Sequence, residues 1–307
     1  MPDLRPLSVR LKVRLKRAAD IIVGPLAVGL LKVIRRADPD DSADRAGRLL
    51  QRLGPLLPAH HVGRANLAAA FPEKAPAEIE KILLGVWDNL GRVAAEFAHL
   101  DRLWDYDPSG RRAARVSDSE DDRARLHCLR EKPALIFAAH LANWELPALA
   151  AAGHSLKMAV VYRAPNVGGI AKAVRALRAQ EMGPLIPTGP DAPIRAAAAL
   201  ERGTSVGMLV DQHSFRGVNV EFFGRRCIAN PMIARLARHF ECPIHGARVI
   251  RHVDHRFRIE FTEAIVPPRA SDGRIDVPGT MQLITSMVEG WVREYPEQWL
   301  WLHRRWR

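Results

Sequence analysis

Short apolar runs and amphipathic segments alternate along most of the chain, and each change of pattern predicts an element. Apolar runs of strand length occupy residues 133–137, 156–162, 185–187 and 205–210. Helical spacing follows at residues 144–152, 169–180, 192–201 and 231–240. Residues 249–250 and 257–261 predict two strands around a polar turn. Strands that alternate with helices predict an α/β fold with a mixed, mostly parallel sheet flanked by helices.

The part of the chain before this alternation has helical spacing only. Helical patterns lie at residues 45–53, 77–86 and 89–97, and prolines at 55, 58, 72 and 76 separate the first from the second. Residues 109–125 are rich in charge and predict a surface loop or weak strand. We therefore predict one domain over residues 39–307, with a helical lead-in at 39–105 and an α/β core at 130–307.

Residues 1–38 carry basic side chains on both sides of an apolar run at 21–31. This run is shorter than the roughly 20 apolar residues that span a bilayer, and it contains Gly24 and Pro25. No small-residue cleavage site follows it, as a signal peptide would require. We predict a helix that lies on an anionic membrane surface. A helix packed on the domain is the alternative.

Composition narrows the class of partner. The 307 residues carry a formal net charge of +12, which favours nucleic acid, an anionic membrane or a phosphorylated substrate. Trp299, Trp301 and Trp306 lie among arginines, but no helix-turn-helix, zinc-finger or RNP pattern accompanies them, so nucleic acid is not expected. The three cysteines lack Cys-x-x-Cys spacing, which predicts a reducing compartment and no zinc site.

The strongest candidate for chemistry is His140 with Glu145, just beyond the apolar run at 133–137. On one helix these positions would lie about 140° apart. If His140 ends the strand and Glu145 opens the next helix, with Asn143 as its N-cap, the carboxylate can fold back onto the imidazole. A neutral histidine then takes a proton from a hydroxyl while the carboxylate orients the ring. Backbone amides at the helix start can meet an oxyanion.

Two more polar side chains follow predicted strands. Arg163 and Asp211 lie just past the runs at 156–162 and 205–210. Because active sites of parallel sheets lie at the carboxyl ends of strands, we expect both beside His140. A competing Gly-x-Ser-x-Gly pattern surrounds Ser205, but here the strand follows the serine instead of preceding it, which argues against a hydrolase elbow.

These residues carry a resemblance to a known family. His140-Leu-Ala-Asn-Trp-Glu145 resembles the His-x4-Asp/Glu signature of glycerolipid acyltransferases, in the form found in the lipid A biosynthesis (lauroyl/myristoyl) acyltransferase family. The resemblance extends in order over nearly the whole chain, through residues 64–72, 161–163, 211–212, 222–224 and 295–306.

The resemblance implies a mechanism. It makes His140 the general base, oriented by Glu145, for direct attack of a hydroxyl on a thioester, with no acyl-enzyme, metal or cofactor. The residues that it implies in substrate binding are Asn143, Arg163, Asp211, Gln212, Phe222, Phe223 and Gly224.

It also implies the partners: acyl carrier protein as donor, a lipid A precursor as acceptor, and the cytoplasmic face of the inner membrane of a Gram-negative bacterium. Two alternatives stay open. One is an acyltransferase of the same fold that uses another glycolipid or phospholipid acceptor, or a coenzyme A donor. The other is a non-enzymatic protein that binds membranes or nucleic acid through its basic surface.

Overall fold

A computed structural model describes residues 25–26, 29–109, 111–163 and 168–306. Most of the predicted membrane-associating segment, residues 1–24 and 27–28, lies outside the described residues. Within the described part, no helix has both the length and the apolar character needed to cross a bilayer.

The helical lead-in contains three long helices and a short one: α1 (Pro39–Leu53), α2 (Pro58–Ala70), α3 (Pro76–Glu96) and α4 (Leu100–Leu103). Each long helix begins with a proline, whose fixed φ suits the first helical position. The predicted break between residues 86 and 89 is wrong, because α3 is continuous there. Asp88 instead supports the helix by accepting a hydrogen bond from Arg92, one turn later, at 2.6 Å.

The predicted mixed, mostly parallel sheet is confirmed. Its strands in the described residues are β1 (Val116–Ser117), β2 (Leu135–Ala138), β3 (Met158–Tyr162), β4 (Leu185–Pro187), β5 (Ser205–Leu209), β8 (Ile244–Arg251) and β9 (Phe257–Phe261). Their order is β1-β9-β8-β2-β5-β3-β4, and only the β8–β9 pair is antiparallel. The remaining strands, β6 (Val218–Phe222) and β7 (Arg225–Ala229), form a separate hairpin.

Helices cover both faces of this sheet. They are α5 (Glu120–Cys128), α6 (Leu146–Gly153), α7 (Gly168–Met182), α8 (Ala192–Glu201), α9 (Met232–Phe240) and α10 (Val277–Glu294). Strand β2 shows why the core has two halves, since successive side chains of a strand point to opposite faces. Leu135 and Phe137 belong to one buried cluster and Ile136 to the other. A central strand buried on both faces explains the unbroken apolar run in the sequence.

Further elements of the fold differ from the sequence predictions. Residues 120–128 form a helix instead of a loop, because Ser119 and Asp122 make a capping box that outweighs the charge of the segment. The β6–β7 hairpin and α10 were not predicted. The hairpin turns at Phe223 and Gly224, both at positive φ (54° and 65°), as a type I′ turn requires.

The carboxyl edge of the sheet is covered by α3 and by the segment after α10. The amide of Asn89 in α3 donates to the backbone oxygens of Ala142 and Gln298, each at 3.2 Å. Leu141 and Trp299 form an antiparallel bridge, and the amide of Leu300 donates to the oxygen of His140 at 3.1 Å. The loop after β2 is thus held between two distant parts of the chain.

Candidate active site

His140 lies where β2 ends, as predicted, and Asp211 lies where the neighbouring strand β5 ends. The imidazole Nδ1 and Asp211 Oδ1 are 2.8 Å apart. Because a carboxylate only accepts, this contact places a proton on Nδ1 and leaves the lone pair on Nε2. The amide nitrogen of Gln212 is 3.1 Å from that Nε2.

Asp211 is buried and accepts three hydrogen bonds from residues that the structure describes. Besides the imidazole, the backbone amide of His140 (2.9 Å) and the indole N–H of Trp299 (2.7 Å) donate to its Oδ2. Burial alone would raise the pKa of Asp211, but its charge and hydrogen-bond interactions with His140 overcome this and lower the pKa below its usual range. Asp211 is therefore a fixed negative charge that holds the histidine in one orientation.

Glu145 does not contact His140, and the predicted pairing is wrong. Its carboxylate faces Arg178 of α7, with Nε donating to Oε2 at 2.9 Å and Nη2 to Oε1. The guanidinium also lies over the rings of Phe97 and Tyr162, at 5.4 and 5.8 Å from their centroids. Both ring nitrogens of His140 have other partners in the described residues, so the loop does not need to fold Glu145 back.

Asn143 is fully buried and positions the loop. Its side-chain amide donates to Glu96 at 2.8 Å, and its side-chain oxygen accepts from the amide of Glu145 at 3.1 Å. The backbone oxygen of Asn143 accepts from the amide of Leu146 at 3.1 Å. Glu145, and not Asn143, is the residue that precedes α6. The amides of Glu145 and Leu146, which lie at the helix start where oxyanion donors were predicted, are therefore already occupied.

Further polar groups hold the loop from behind. Glu96 forms a buried ion pair with Arg251 at the end of β8, with oxygen–nitrogen distances of 2.5 and 2.9 Å. Ala142 adopts a left-handed conformation (φ 47°), unusual for a residue with a side chain. Its amide donates to the oxygen of Gln298 at 2.9 Å, and its own oxygen accepts from Asn89. Such conformations persist only where surrounding contacts impose them.

A pocket of about 470 Å³ opens beside His140, within the usual size range of small-molecule sites. Its polar side chains include His140, Glu145, Arg163, Arg178 and Gln212. Its apolar part is lined by residues of β2, β3, β5 and α6, among them Ile136, Ala148, Met158, Val160 and Met208. The pocket thus joins a histidine and two arginines to an apolar interior.

The sequence was compared with models of known protein families. The family described as bacterial lipid A biosynthesis acyltransferase matches residues 21–307. The chain belongs to this family. The family implies an acyltransferase with a lipid A-type acceptor, in agreement with the resemblance found in the motifs. No curated protein matches the chain.

Not all residues predicted for this acyltransferase's substrates reach the pocket. Arg163 and Gln212 line it, whereas Phe222 and Phe223 are buried elsewhere. The Phe222 ring packs on Trp299, and the Phe223 ring packs on Trp301. Gly224 lies in the turn between β6 and β7. The two phenylalanines therefore belong to the core beneath the C-terminal segment, and Gly224 is exposed.

The aromatic and basic residues at 299–306 have a structural explanation. Trp299 and Trp301 are almost fully buried, so their rings cannot stack on nucleic acid. Arg305 is buried too, and it donates to the backbone oxygens of Gln212 (3.2 Å) and Ile228 (2.9 Å). This arginine thereby fixes the residue that contacts His140 Nε2.

Arg178 is a charged pocket residue that the sequence did not reveal. Lys172, Arg175 and Arg178 recur at helical spacing in α7, and nothing in this pattern separates the last of them from a solvated charge. For metals, no group of three or more His, Cys, Asp or Glu side chains in the described ranges is arranged to hold an ion.

Proposed function

We propose that this acyltransferase moves a fatty acyl chain from acyl carrier protein to a hydroxyl of a lipid A precursor, with His140 as general base. The observation that carries the proposal is the set of partners that the two ring nitrogens of His140 have. Its Nδ1 is bound at 2.8 Å to a buried carboxylate, and its Nε2 lone pair lies beside Gln212 at the pocket. Asp211, and not Glu145, takes the orienting role.

The chemical step is a direct transfer. The acceptor hydroxyl takes the place of the Gln212 amide at Nε2 and gives its proton to that nitrogen as its oxygen attacks the thioester carbonyl. A carbon–oxygen bond forms and the carbon–sulfur bond breaks. The departing thiolate takes the proton from Nε2, which returns the histidine to its neutral state. Asp211 stabilises the imidazolium while it exists.

Arginines supply the positive charge that this step and its substrates need. The carbonyl oxygen becomes negative during attack, and both proposed substrates carry phosphate. Arg178 is held at the pocket by Glu145, whereas Arg163 is exposed at its rim. A guanidinium binds phosphate or an oxyanion through paired donors. Arg178 therefore suits the reacting centre, and Arg163 suits recognition of a phosphate.

The apolar part of the pocket suits the acyl chain. Side chains of Ile136, Met158 and Met208 line it between the sheet and α6. A thioester held next to His140 would extend its hydrocarbon into this space, where burial of each methylene contributes about 0.8 kcal/mol. An acyl carrier protein donor and the net charge of +12 fit together, because carrier proteins of this kind are acidic. We place the reaction at the cytoplasmic face of the inner membrane.

The test is acyl transfer from labelled acyl carrier protein to a tetra-acylated lipid A precursor. Wild type should form the new ester, and His140→Ala should lose about 10²–10⁴-fold in rate. His239→Ala, which changes an exposed histidine of α9, is the matched control and should behave as wild type.

Each other result has a definite meaning. Full activity of His140→Ala would contradict the general-base role. Thioester consumption with another glycolipid, but not with this precursor, would show that the acceptor is a different lipid and that the reaction is still acyl transfer. Transfer from coenzyme A but not from acyl carrier protein would overturn the donor.

A further inference from the structure

The outward face of α1 and the turn after it carries leucines where a helix on a protein surface usually carries polar side chains. Four leucines are exposed, by 55% at Leu49, 46% at Leu53, 79% at Leu56 and 44% at Leu57. Positions 49, 53 and 56 lie on one side of a helix, because they follow each other after four and three residues. Clustered exposed apolar side chains, unlike scattered ones, mark an interaction site.

The opposite side of α1 packs against α3. Ala43 and Gly47 are buried against α3. A Cβ on Gly91 of α3 would lie 2.3 Å from the backbone oxygen of Ala46, so the two helices touch through their backbones. Since α1 buries its small residues against α3, Leu49 and Leu53 on its other side stay about half exposed to solvent.

Arginines lie among these leucines. Arg45, Arg48 and Arg52 are exposed on the same face. Arg45 and Arg48 lie only near acidic side chains one turn earlier, at 3.9 and 3.7 Å. Asp44, the partner of Arg48, is held more closely by Arg92 at 2.5 Å. The face therefore combines apolar side chains with largely uncompensated positive charge.

We propose that this leucine–arginine face, residues 45–57, docks on the surface of an anionic phospholipid bilayer. Leucines that enter the headgroup region and arginines that meet lipid phosphates are the two contributions that hold a helix in the plane of a membrane. A second copy of the chain is a poorer occupant. In a symmetric dimer each face would meet itself, which would bring like charges together.

The leucine–arginine face lies near the end of the molecule that carries the candidate active site. Helix α3 crosses the carboxyl edge of the sheet, where Asn89 contacts Ala142 and Glu96 contacts Asn143. Because α1 packs on α3, a membrane under α1 lies at the same end of the molecule as His140. This step rests on the proposed function: a lipid acceptor would then reach the base without leaving the bilayer surface.

The experiment uses the full chain and vesicles of phosphatidylcholine, with or without phosphatidylglycerol. The double variant Leu53→Glu/Leu56→Glu should lower the vesicle partition coefficient about tenfold or more. The control is Val266→Glu, which is 87% exposed. Its neighbour Ile265 donates to Ile244 at the start of β8, so Val266 lies at the opposite edge of the sheet. Val266→Glu should bind as wild type.

Two further measurements separate this face from residues 1–38. Backbone amides of residues 45–57 should exchange more slowly with deuterium when vesicles are present, and those around Val266 should not change. The triple variant Arg45→Gln/Arg48→Gln/Arg52→Gln should lose the preference for phosphatidylglycerol and keep its binding to phosphatidylcholine alone.

The proposal fails if residues 45–57 gain no protection while the protein is vesicle-bound, or if the double variant partitions like Val266→Glu. A lipid-free dimer that the double variant dissociates would make a second copy the occupant instead. His140→Ala should bind vesicles normally. Vesicle docking through residues 45–57 without any acyl transfer would therefore reject the proposed function alone.

Discussion

Asp211 and Glu145 are carboxylates at the same edge of the sheet, and both are buried (3% and 6% exposed), yet their partners differ in kind. Asp211 faces the imidazole of His140, a type of side chain that can act as a base, whereas Glu145 faces the permanent cation of Arg178. A carboxylate can stabilise a charge that forms during a reaction only if that charge is not already present. Asp211 is thus the partner of His140, and Glu145 positions an arginine.

The largest expected effect is at Asp211. Asp211→Asn keeps the size of the side chain but removes the charge that stabilises the imidazolium, and its amide can turn a donor toward Nδ1. We expect the rate of acyl transfer to fall about 10³–10⁴-fold. Thermal unfolding of the variant checks that it is folded. Activity within a few-fold of wild type would remove Asp211 from the mechanism.

The pairing of Glu145 with Arg178 should appear as a strong coupling. Glu145→Gln and Arg178→Gln each leave a largely buried charge alone, so each should lower the free energy of unfolding by about 3 kcal/mol. The double variant should be little worse than either one, because no lone charge remains. Urea unfolding measures the cycle. Additive effects would mean that the two side chains do not depend on each other.

The activities of Glu145→Gln and Asp211→Asn should also differ. Glu145→Gln should slow acyl transfer about 10–100-fold through displacement of Arg178, which is less than the loss expected for Asp211→Asn. A loss at Glu145 as large as that at Asp211, with an unchanged free energy of unfolding, would restore the predicted contact between Glu145 and His140.

A pH dependence of stability follows from Asp211. Its pKa in the folded protein is lowered, so ionised Asp211 stabilises the fold above the unfolded-state pKa of about 3.9. This contribution, on the order of 2 kcal/mol, is lost as the pH falls through that value toward the folded-state pKa. The stability difference between wild type and Asp211→Asn should shrink as the pH falls below about 5. A difference that stays constant down to pH 3.5 would contradict a lowered pKa.

The smallest expected effect is at Arg163, which lies at the pocket but is exposed. Arg163→Gln should raise KM for a phosphorylated acceptor a few-fold, roughly, and leave kcat almost unchanged, because exposed charges are screened by salt. The difference from wild type should disappear at high ionic strength. A fall in kcat without a change in KM would place Arg163 at the reacting centre instead.

The sequence was sufficient for the fold because the strands of a doubly covered sheet are short and uniformly apolar. The runs at β2, β3 and β5 stand out for that reason, and the polar residues that follow them, His140, Arg163 and Asp211, locate the active edge. The β6–β7 hairpin is less visible. Only one of its faces is buried. One of the two turn residues, Phe223, is apolar and directly follows another phenylalanine, so the sequence there does not look like a turn.

The partner of His140 could not be found from spacing. Glu145 is five residues away and Asp211 is 71 residues away, so the nearer carboxylate was the simpler prediction. Parallel pairing of β2 with β5 brings Ala138 beside Leu209, and this register carries Asp211 to His140. Which carboxylate reaches the ring depends on strand order, and strand order is not contained in any local pattern.

The pairing of residues 298–300 with the loop at 140–142 has a consequence for synthesis. The ribosome makes Trp299 about 160 residues after the loop, which at about 10 residues per second is a delay on the order of 15 seconds. During this time β2 can exist, but Ala142 lacks Gln298, and Asp211 lacks the indole of Trp299. A nascent chain arrested before residue 298 should therefore leave the loop open to proteolysis. The loop that carries His140 would be set in place among the last events of folding.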